Sequence, residues 1–395
     1  MTDAAMPLEQ IREEITALDN ELVALLARRR ALSIEVAKSK IGTTKPVRDP
    51  VREQLLLQRL IKEGQQYQLD AQYITQLFHT VIADSVLYQQ TYLQRLNNPE
   101  NTQPTARVSF LGNKGSYSHL ATRNYFSRKQ TQVIEMSCTG FKDIITEVER
   151  GNADFGVLPI ENTSSGSINE VYDLLQHTRL SIVGEITLPI EHCLLTAVDT
   201  QLDAIDTLYS HPQPHQQCSE FLHNLGDINQ AYCSSTAEAM ALVADKKLSN
   251  IAAIGNASSG EMYGLHVLKT NISNQDENYT RFIIVARKAV DVTPLVPAKT
   301  TLIMSTDQKP GSLVECLLVL RNLNINMAKL ESRPVMGNPW EEMFYLDVEA
   351  NIKSEAMQQA MDELTRLTRT IKVLGCYPSE NVKPVDPHTG ELLEH

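Results

Sequence analysis

The side chains in this sequence best suited to chemistry are cations placed where a helix would bury apolar groups. Leu8, Ile11, Ile15, Leu18, Leu22 and Leu25 step by three and four, the spacing of one face of a long helix. The next step along that stripe is Arg29, after which Leu32 and Val36 resume the apolar pattern and Lys40 follows four residues later. Arg29 and Lys40 therefore lie on the core line, whereas Arg28 and Arg30 point away from it. A buried guanidinium is costly unless paired, so Arg29 either meets an internal carboxylate or serves an anionic ligand. Farther on, Phe78, Ile82, Ser85, Gln89 and Leu93 step along another helical face, and again two polar residues interrupt an apolar stripe. Interruptions converging on one small core favour a bound anion, held by cations and hydrogen-bond donors.

A second set of polar residues sits where short apolar strands end. The segment 107–111 runs into Gly112-Asn113-Lys114-Gly115-Ser116, 153–160 into Glu161-Asn162-Thr163-Ser164-Ser165-Gly166, and 207–209 into Ser210-His211-Pro212-Gln213-Pro214. The segment 251–254 leads to Gly255-Asn256, and Tyr279-Thr280-Arg281 precedes the apolar run 282–286. Loops that follow parallel strands gather at one edge of a sheet, where open α/β folds bind ligands. By composition alone, Thr280 reads as an ordinary strand-forming residue. His211 and His215 have a metal-like spacing, but Pro212 and Pro214 argue against a helical pair and favour a loop. The six cysteines include no C-x-x-C pair, which fits reduced thiols and predicts neither disulfides nor a metal site.

The elements that must position these residues fall into successive segments. Residues 1–96 read as all-α: a first helix about 50 Å long, a break at 42–46, a second helix from Asp49 and a third from about Asp70. Asp49 before Pro50 predicts an N-cap with proline at the first helical position. Three helices of one chain cannot cover so long a first helix, so an interleaved dimer is expected. Residues 97–106 read as a linker. The segment 107–287 alternates strands and helices, an α/β layer pattern with room for two lobes and a cleft. Residues 299–377 read strand, helix, strand, strand, helix, strand, a ferredoxin-like βαββαβ order in which Glu331-Ser332-Arg333-Pro334 follows the second strand. A tail, 378–395, is rich in proline and charge and is expected to be loosely held. The 395 residues, 42% hydrophobic and 21% charged, are ordinary globular composition, and the net charge of -12 disfavours nucleic acid and anionic membranes as partners. No export signal or membrane-length apolar run is evident, so a cytoplasmic protein is expected.

The stretches 159–166, 209–213, Thr280-Arg281-Phe282 and Glu331-Ser332-Arg333-Pro334, taken together, resemble the bifunctional chorismate mutase/prephenate dehydratases of enteric-type bacteria, with a C-terminal ACT domain. The resemblance covers nearly the whole chain. It implies an intertwined helical dimer that rearranges chorismate to prephenate, a two-lobed domain of periplasmic-binding-protein type that converts prephenate to phenylpyruvate, and an ACT domain that binds phenylalanine as feedback inhibitor. No cofactor or metal is implied. In the mutase pocket it places Arg12, Arg29, Lys40, Asp49, Arg52, Glu53, Ser85 and Gln89. Arg29 and the partner protomer's copy of Arg12 would clamp the two carboxylates, and Lys40 with Gln89 would reach the ether oxygen. Arg52 would add positive field, Asp49 and Glu53 would bind the ring hydroxyl, and Ser85 would assist a carboxylate. Without the resemblance, Arg12 reads as a solvated charge.

For the dehydratase the resemblance implies Thr280 as the hydrogen-bond donor to the departing hydroxyl. Asn162, Ser210 and Gln217 would line the pocket with Glu161, Thr163 and Ser164, and Arg281 or Lys114 would meet a carboxylate. The phenylalanine site would comprise Gly311, Ser312, Leu313 and Val314 together with Glu331, Ser332, Arg333 and Pro334. Two departures from the family pattern stand out: Asn113 where proline is usual, which bears on loop stiffness, and Ser312 where alanine is usual, which bears on effector affinity. Two alternatives remain at this stage, an enzyme with only the mutase active and a sensor whose central segment binds an aromatic acid without chemistry.

Overall fold

A computed structural model of the chain describes residues 6–43, 45–99, 103–129, 131–275, 277–335, 341–380 and 385. Most of the expected tail, 378–395, lies outside the described residues. The chain divides into two compact units, one of residues 1–101, 292–297 and 379–395, the other of 102–291 and 298–378.

The first unit carries α1 (Leu8–Lys40), α2 (Pro50–Gln66) and α3 (Ala71–Asn97). Asp49 caps α2 by accepting the Arg52 amide at 3.0 Å, and Pro50 takes the first helical position, as the sequence predicts. Asp70 caps α3 through the Gln72 amide. Ala37, Leu57, Ile74, Ile82, Val86 and Leu93 form the buried contacts of this unit. The stripe on α1 behaves differently: Leu18 is 64% exposed and Leu25 61%, with Leu8, Ile15, Leu22 and Leu32 also open to solvent. The apolar periodicity makes the helix, but within one chain most of its apolar face has nothing to pack against.

In the second unit the chain runs β1 (Thr105–Leu111), α4 (Tyr117–Arg128), β2 (Gln132–Cys138), α5 (Phe141–Glu149), β3 (Phe155–Asn162), β4 (Gly166–Ser167), α6 (Asn169–His177) and β5 (Ser181–Pro189). It then passes to a second sheet through β6 (Cys193–Thr196), β7 (Thr207–Ser210), α7 (Pro212–Gln217), α8 (Ser219–Asn224), β8 (Asn229–Tyr232), α9 (Thr236–Lys246), β9 (Ile251–Gly255), α10 (Ala257–Met262) and β10 (His266–Lys269). It returns to the first sheet as β11 (Tyr279–Ala286). The sheet orders are β2-β1-β3-β11-β5, with β4 paired to β3, and β10-β6-β9-β7-β8. Two lobes therefore share two crossovers, 190–192 and 270–278, and each lobe has its own buried core.

The remainder is β12 (Ala298–Thr306), α11 (Ser312–Asn322), β13 (Met327–Pro334), β14 (Glu342–Val348), α12 (Glu355–Leu367) and β15 (Thr368–Pro378), an antiparallel sheet of order β13-β14-β12-β15. Its residues Ile303, Tyr345, Leu374 and Tyr377 join Ile144, Leu158, Ile182 and Ile283 in one continuous core. Gly375 lies so close to β5 that an added Cβ would stand 2.1 Å from the Ile182 carbonyl oxygen.

Three local expectations need correction. Thr280 and Arg281 lie inside β11 and not ahead of it, because their backbone completes ladders to both β3 and β5. Glu331 to Pro334 likewise lie inside β13, paired with β14, and not after it. His211 to Gln217 is no open loop: His211 caps α7 by accepting the Gln213 amide, and Pro212 stands at its first position. Both prolines fall in the first turn, where an N–H would have no intrahelical acceptor.

Candidate functional sites

In the helical unit, Arg29 Nη1 donates to the Val81 carbonyl at 3.1 Å and to Ser85 Oγ. Gln89 Nε2 donates to the Ser85 carbonyl at 3.2 Å, leaving the buried Gln89 Oε1 unmatched. Three of the four interruptions of the apolar stripes are thus brought together. Among the described residues Arg29 makes no ion pair, since the nearby carboxylate, Asp84, is taken by Arg30 Nε at 2.9 Å. Burial pushes the Arg29 guanidinium below its ordinary value, against the raising influence of Asp84. Lys40 Nζ donates to the carbonyls of Pro46 and Val47, both at 2.8 Å, and burial followed by the nearby charge of Arg52 lowers its pKa. Asp49 caps α2 and Glu53 pairs with Arg48 at 3.3 Å. Arg12 is exposed on α1, paired only with Glu9 at 3.5 Å. Cations therefore stand at two places in this unit, Arg29 beside Ser85 and Lys40 beside Arg52, the latter pair also near Asp49 and Glu53.

In the two-lobed unit the organising residue is Asn162, at the end of β3. Its Oδ1 accepts the amides of Ser164 at 3.0 Å and Ser165 at 2.9 Å, the Ser165 hydroxyl, and Gln217 Nε2 at 3.4 Å across the cleft. Its Nδ2 donates to Asn278 Oδ1 at 2.7 Å, to the Tyr279 carbonyl and to Thr280 Oγ1 at 2.9 Å. Because Asn162 fills an acceptor position of the Thr280 hydroxyl, the Thr280 proton is left to be donated; no acceptor for it exists among the described residues. Thr163 closes the corner, its Oγ1 accepting the Tyr279 amide at 2.9 Å. Ser210 Oγ, fully buried at the end of β7, has no partner among the described residues. A cleft of about 250 Å³ adjoins this network, lined by Ser164, Gln213, Gln217 and Asn278 among others but not by Asn162 or Thr280 themselves. A larger hollow of about 610 Å³, lined by His215, His223 and Tyr232, borders α7, α8 and β8 and contains neither Asn162 nor Thr280.

Strand alternation separates two other expected site residues from this group. Arg281, paired in register with Glu161, donates through Nε to Glu185 at 2.7 Å, through Nη1 to Asp347 at 2.5 Å and through Nη2 to the Tyr377 hydroxyl at 3.0 Å. Its guanidinium is therefore committed inside the protein and not offered to a substrate carboxylate. Burial disfavours its charge, but Tyr377, Glu185 and Asp347 outweigh that and hold it firmly protonated. Glu161 pairs with Lys329 of β13 at 2.7 Å. Lys114 is exposed and pairs with Glu135 at 3.1 Å. Sequence reasoning missed His192, whose ring Nε2 stands 2.8 Å from Gln217 Oε1, and Asn278, which shares the Asn162 amide.

The C-terminal residues singled out from the sequence form two groups. Gly311, with φ +89°, precedes α11, with Ser312 buried, and Leu313 and Val314 in its first turn. Glu331 accepts the Ser167 hydroxyl at 2.6 Å and Arg333 makes a two-pronged contact with Asp173, while Ser332 and Pro334 complete the same strand. No hydrogen bond joins the two groups among the described residues.

A family model for chorismate mutase type II matches residues 11–90, and one for prephenate dehydratase matches 108–290. Bifunctional chorismate mutase/prephenate dehydratases of Enterobacter agglomerans and of Escherichia coli K12 are each 57% identical to this chain, over 96% of it and 98% of their own length. The chain belongs to the bifunctional chorismate mutase/prephenate dehydratase family. Both activities are accordingly its own: chorismate is rearranged to prephenate, and prephenate is converted to phenylpyruvate. Among solved structures, prephenate dehydratase from Arthrobacter aurescens in complex with L-Phe is similar with a TM-score of 0.62 and 27% identity, covering 72% of this chain and 94% of that one. A chain described as a quorum-quenching acylase, GqqA, is similar with a TM-score of 0.61 and 30% identity, covering 69% of this chain and 98% of that one. The fold thus hosts more than one named activity, and in this bifunctional enzyme residue roles must be argued from the sites.

The rearrangement is intramolecular and needs no nucleophile. An enzyme speeds such a reaction by holding the dianion in its reactive conformer and stabilising charge on the breaking ether oxygen. In the second reaction the ring carboxylate leaves as carbon dioxide, its bonding electrons aromatise the ring, and the hydroxyl leaves with a proton as water. A donor at the hydroxyl is the minimum requirement.

Proposed function

We propose that Arg29, with Ser85, clamps one chorismate carboxylate, that the partner protomer's copy of Arg12 reaches the other, and that Lys40 and Gln89 meet the ether oxygen. Arg52 adds positive field, and Asp49 and Glu53 take the ring hydroxyl. In the dehydratase, Thr280 donates to the departing hydroxyl, and Asn162, Thr163, Ser164, Ser210 and Gln217 shape the pocket. Residues 299–377 act as an ACT domain whose Gly311-to-Val314 turn and Glu331-to-Pro334 strand take phenylalanine as feedback inhibitor at an interface between copies. The working state is a homodimer or higher homo-oligomer in the cytoplasm. The observation carrying the dehydratase reading is the Asn162 amide on Thr280 Oγ1 at 2.9 Å. The solvent-facing apolar stripe of α1 supports the dimer, and no described helix is long and apolar enough to cross a membrane.

Supplying chorismate alone and following prephenate and phenylpyruvate, with and without phenylalanine, tests these roles together. Thr280→Ala is expected to keep prephenate formation and to lower phenylpyruvate formation by about a hundredfold or more, the scale of losing a transition-state donor. Arg29→Ala is expected to abolish prephenate formation while added prephenate is still consumed. A Thr280→Ala enzyme with full dehydratase turnover removes Thr280 from the mechanism, and insensitivity of the parent to phenylalanine removes the effector site.

A further inference from the structure

Resting on that reading of Thr280, we infer that His192 is a positioning residue for the dehydratase step, acting on the cleft through the side-chain amide of Gln217. His192 lies in the first crossover between the lobes, 1% exposed. Its Nε2 is 2.8 Å from Gln217 Oε1. An amide oxygen only accepts, so this contact requires the proton on Nε2 and fixes the ring tautomer. On the other side of the ring, Nδ1 lies 3.3 Å from the oxygen of the Tyr117 hydroxyl, whose proton goes to the Glu191 carbonyl at 3.0 Å. The Tyr117 and His192 rings meet edge to face at 6.0 Å between centroids. Burial lowers the His192 pKa, with the Gln217 contact opposing it, and burial raises that of Tyr117, so both groups remain in their neutral forms.

The polarity of the chain runs one way. His192 N–H donates to the Gln217 oxygen, the Gln217 N–H₂ donates to the Asn162 oxygen, the Asn162 N–H₂ donates to the Thr280 oxygen, and the Thr280 hydroxyl keeps its proton for the substrate. Asn162 is independently fixed by the Ser164 and Ser165 amides, whereas His192 supplies the donor that selects the orientation of the Gln217 amide. Turning that amide over would set its oxygen against Asn162 Oδ1 and present an acceptor where an anionic substrate needs a donor. His192 is thus to Gln217 what an orienting carboxylate is to a catalytic histidine: it touches no reacting atom but decides which atom does.

The test uses the full-length enzyme with prephenate as substrate. A glutamine at 192 can place its amide N–H near the imidazole Nε2 position, and an asparagine reaches only the Nδ1 position. His192→Gln is expected to keep the dehydratase kcat within about threefold, and His192→Asn to lower it by about tenfold or more, the scale of one misplaced hydrogen bond. In a Gln217→Leu background, His192→Asn is expected to add no further loss, the signature of two residues acting as a unit. The inference is overturned if His192→Asn matches the parent, if His192→Gln falls equally with it, or if the loss persists without Gln217. A Thr280→Ala control that retains turnover would overturn the reading of Thr280, while the His192 and Gln217 cycle would still report on their pairing.

Discussion

Lys40 carries a pH signature. Burial and the neighbouring Arg52 lower its pKa, so the folded helical unit is penalised while the amine is charged, and that penalty fades as the pH rises through the depressed value toward the ordinary lysine range. On the role proposed for Lys40 at the ether oxygen, mutase activity moves the opposite way, since that role needs the cation. A pH profile of mutase kcat/KM is expected to fall on the alkaline side below the ordinary lysine range, and Lys40→Arg to carry that fall to higher pH; coincident profiles would exclude Lys40 as the titrating group. The meeting of Arg29, Ser85 and Gln89 was legible in the sequence, because polar side chains interrupting two apolar stripes share one core, whereas the place of Lys40 against the Pro46 and Val47 carbonyls was not. His192 was not legible: nothing in its neighbourhood of sequence distinguishes a buried histidine that orients another side chain from one that merely packs. Arg281 was legible as a charge within a motif, but the side of the strand on which it points was not.

Elements were read well where a period or a cap defines them and less well where polar residues enter strands. α2 begins where Asp49 and Pro50 predict. β11 and β13 extend through Thr280-Arg281 and Glu331-Arg333, whose polar side chains hide strand backbone because their partners come from distant segments. The β5 and β15 contact gives an element-scale prediction. Gly375→Ala would drive a Cβ to 2.1 Å from the Ile182 carbonyl, and a backbone oxygen cannot retreat as a flexible side chain can. The expected loss of stability is on the order of 2 kcal/mol, read as a lower denaturant midpoint for the second unit, and an unchanged midpoint would mean that the two strands separate without cost.

At the scale of the molecule, the long apolar stripe has the right period for a core but lacks a covering surface in one chain, which is why periodicity alone suggested burial and a single chain leaves Leu18 and Leu25 open. Replacing both by glutamate is expected to give a lighter species by sedimentation and, on the proposal that Arg12 serves the second protomer, to remove mutase turnover while prephenate is still consumed; an unchanged mass would place the oligomer contact elsewhere. The segmentation into helical, α/β and βαββαβ stretches was legible from composition shifts. The sequence could not show that the last stretch shares a core with the two-lobed part, because that depends on Tyr345 and Tyr377 meeting residues some two hundred positions away.

Alternation along β3 and β11 has a mechanical consequence. Asn162 and Thr280 share one rung of the sheet, joined to Gln217 at the cleft, while the adjoining rung of Glu161 and Arg281 is tied to Lys329 and Asp347 on the other side. The chemistry and the C-terminal sheet thus stand on opposite sides of a party wall one peptide thick. A displacement behind the wall that strains either ion pair loads the backbone next to Asn162 and the proposed donor Thr280, with only one peptide in between.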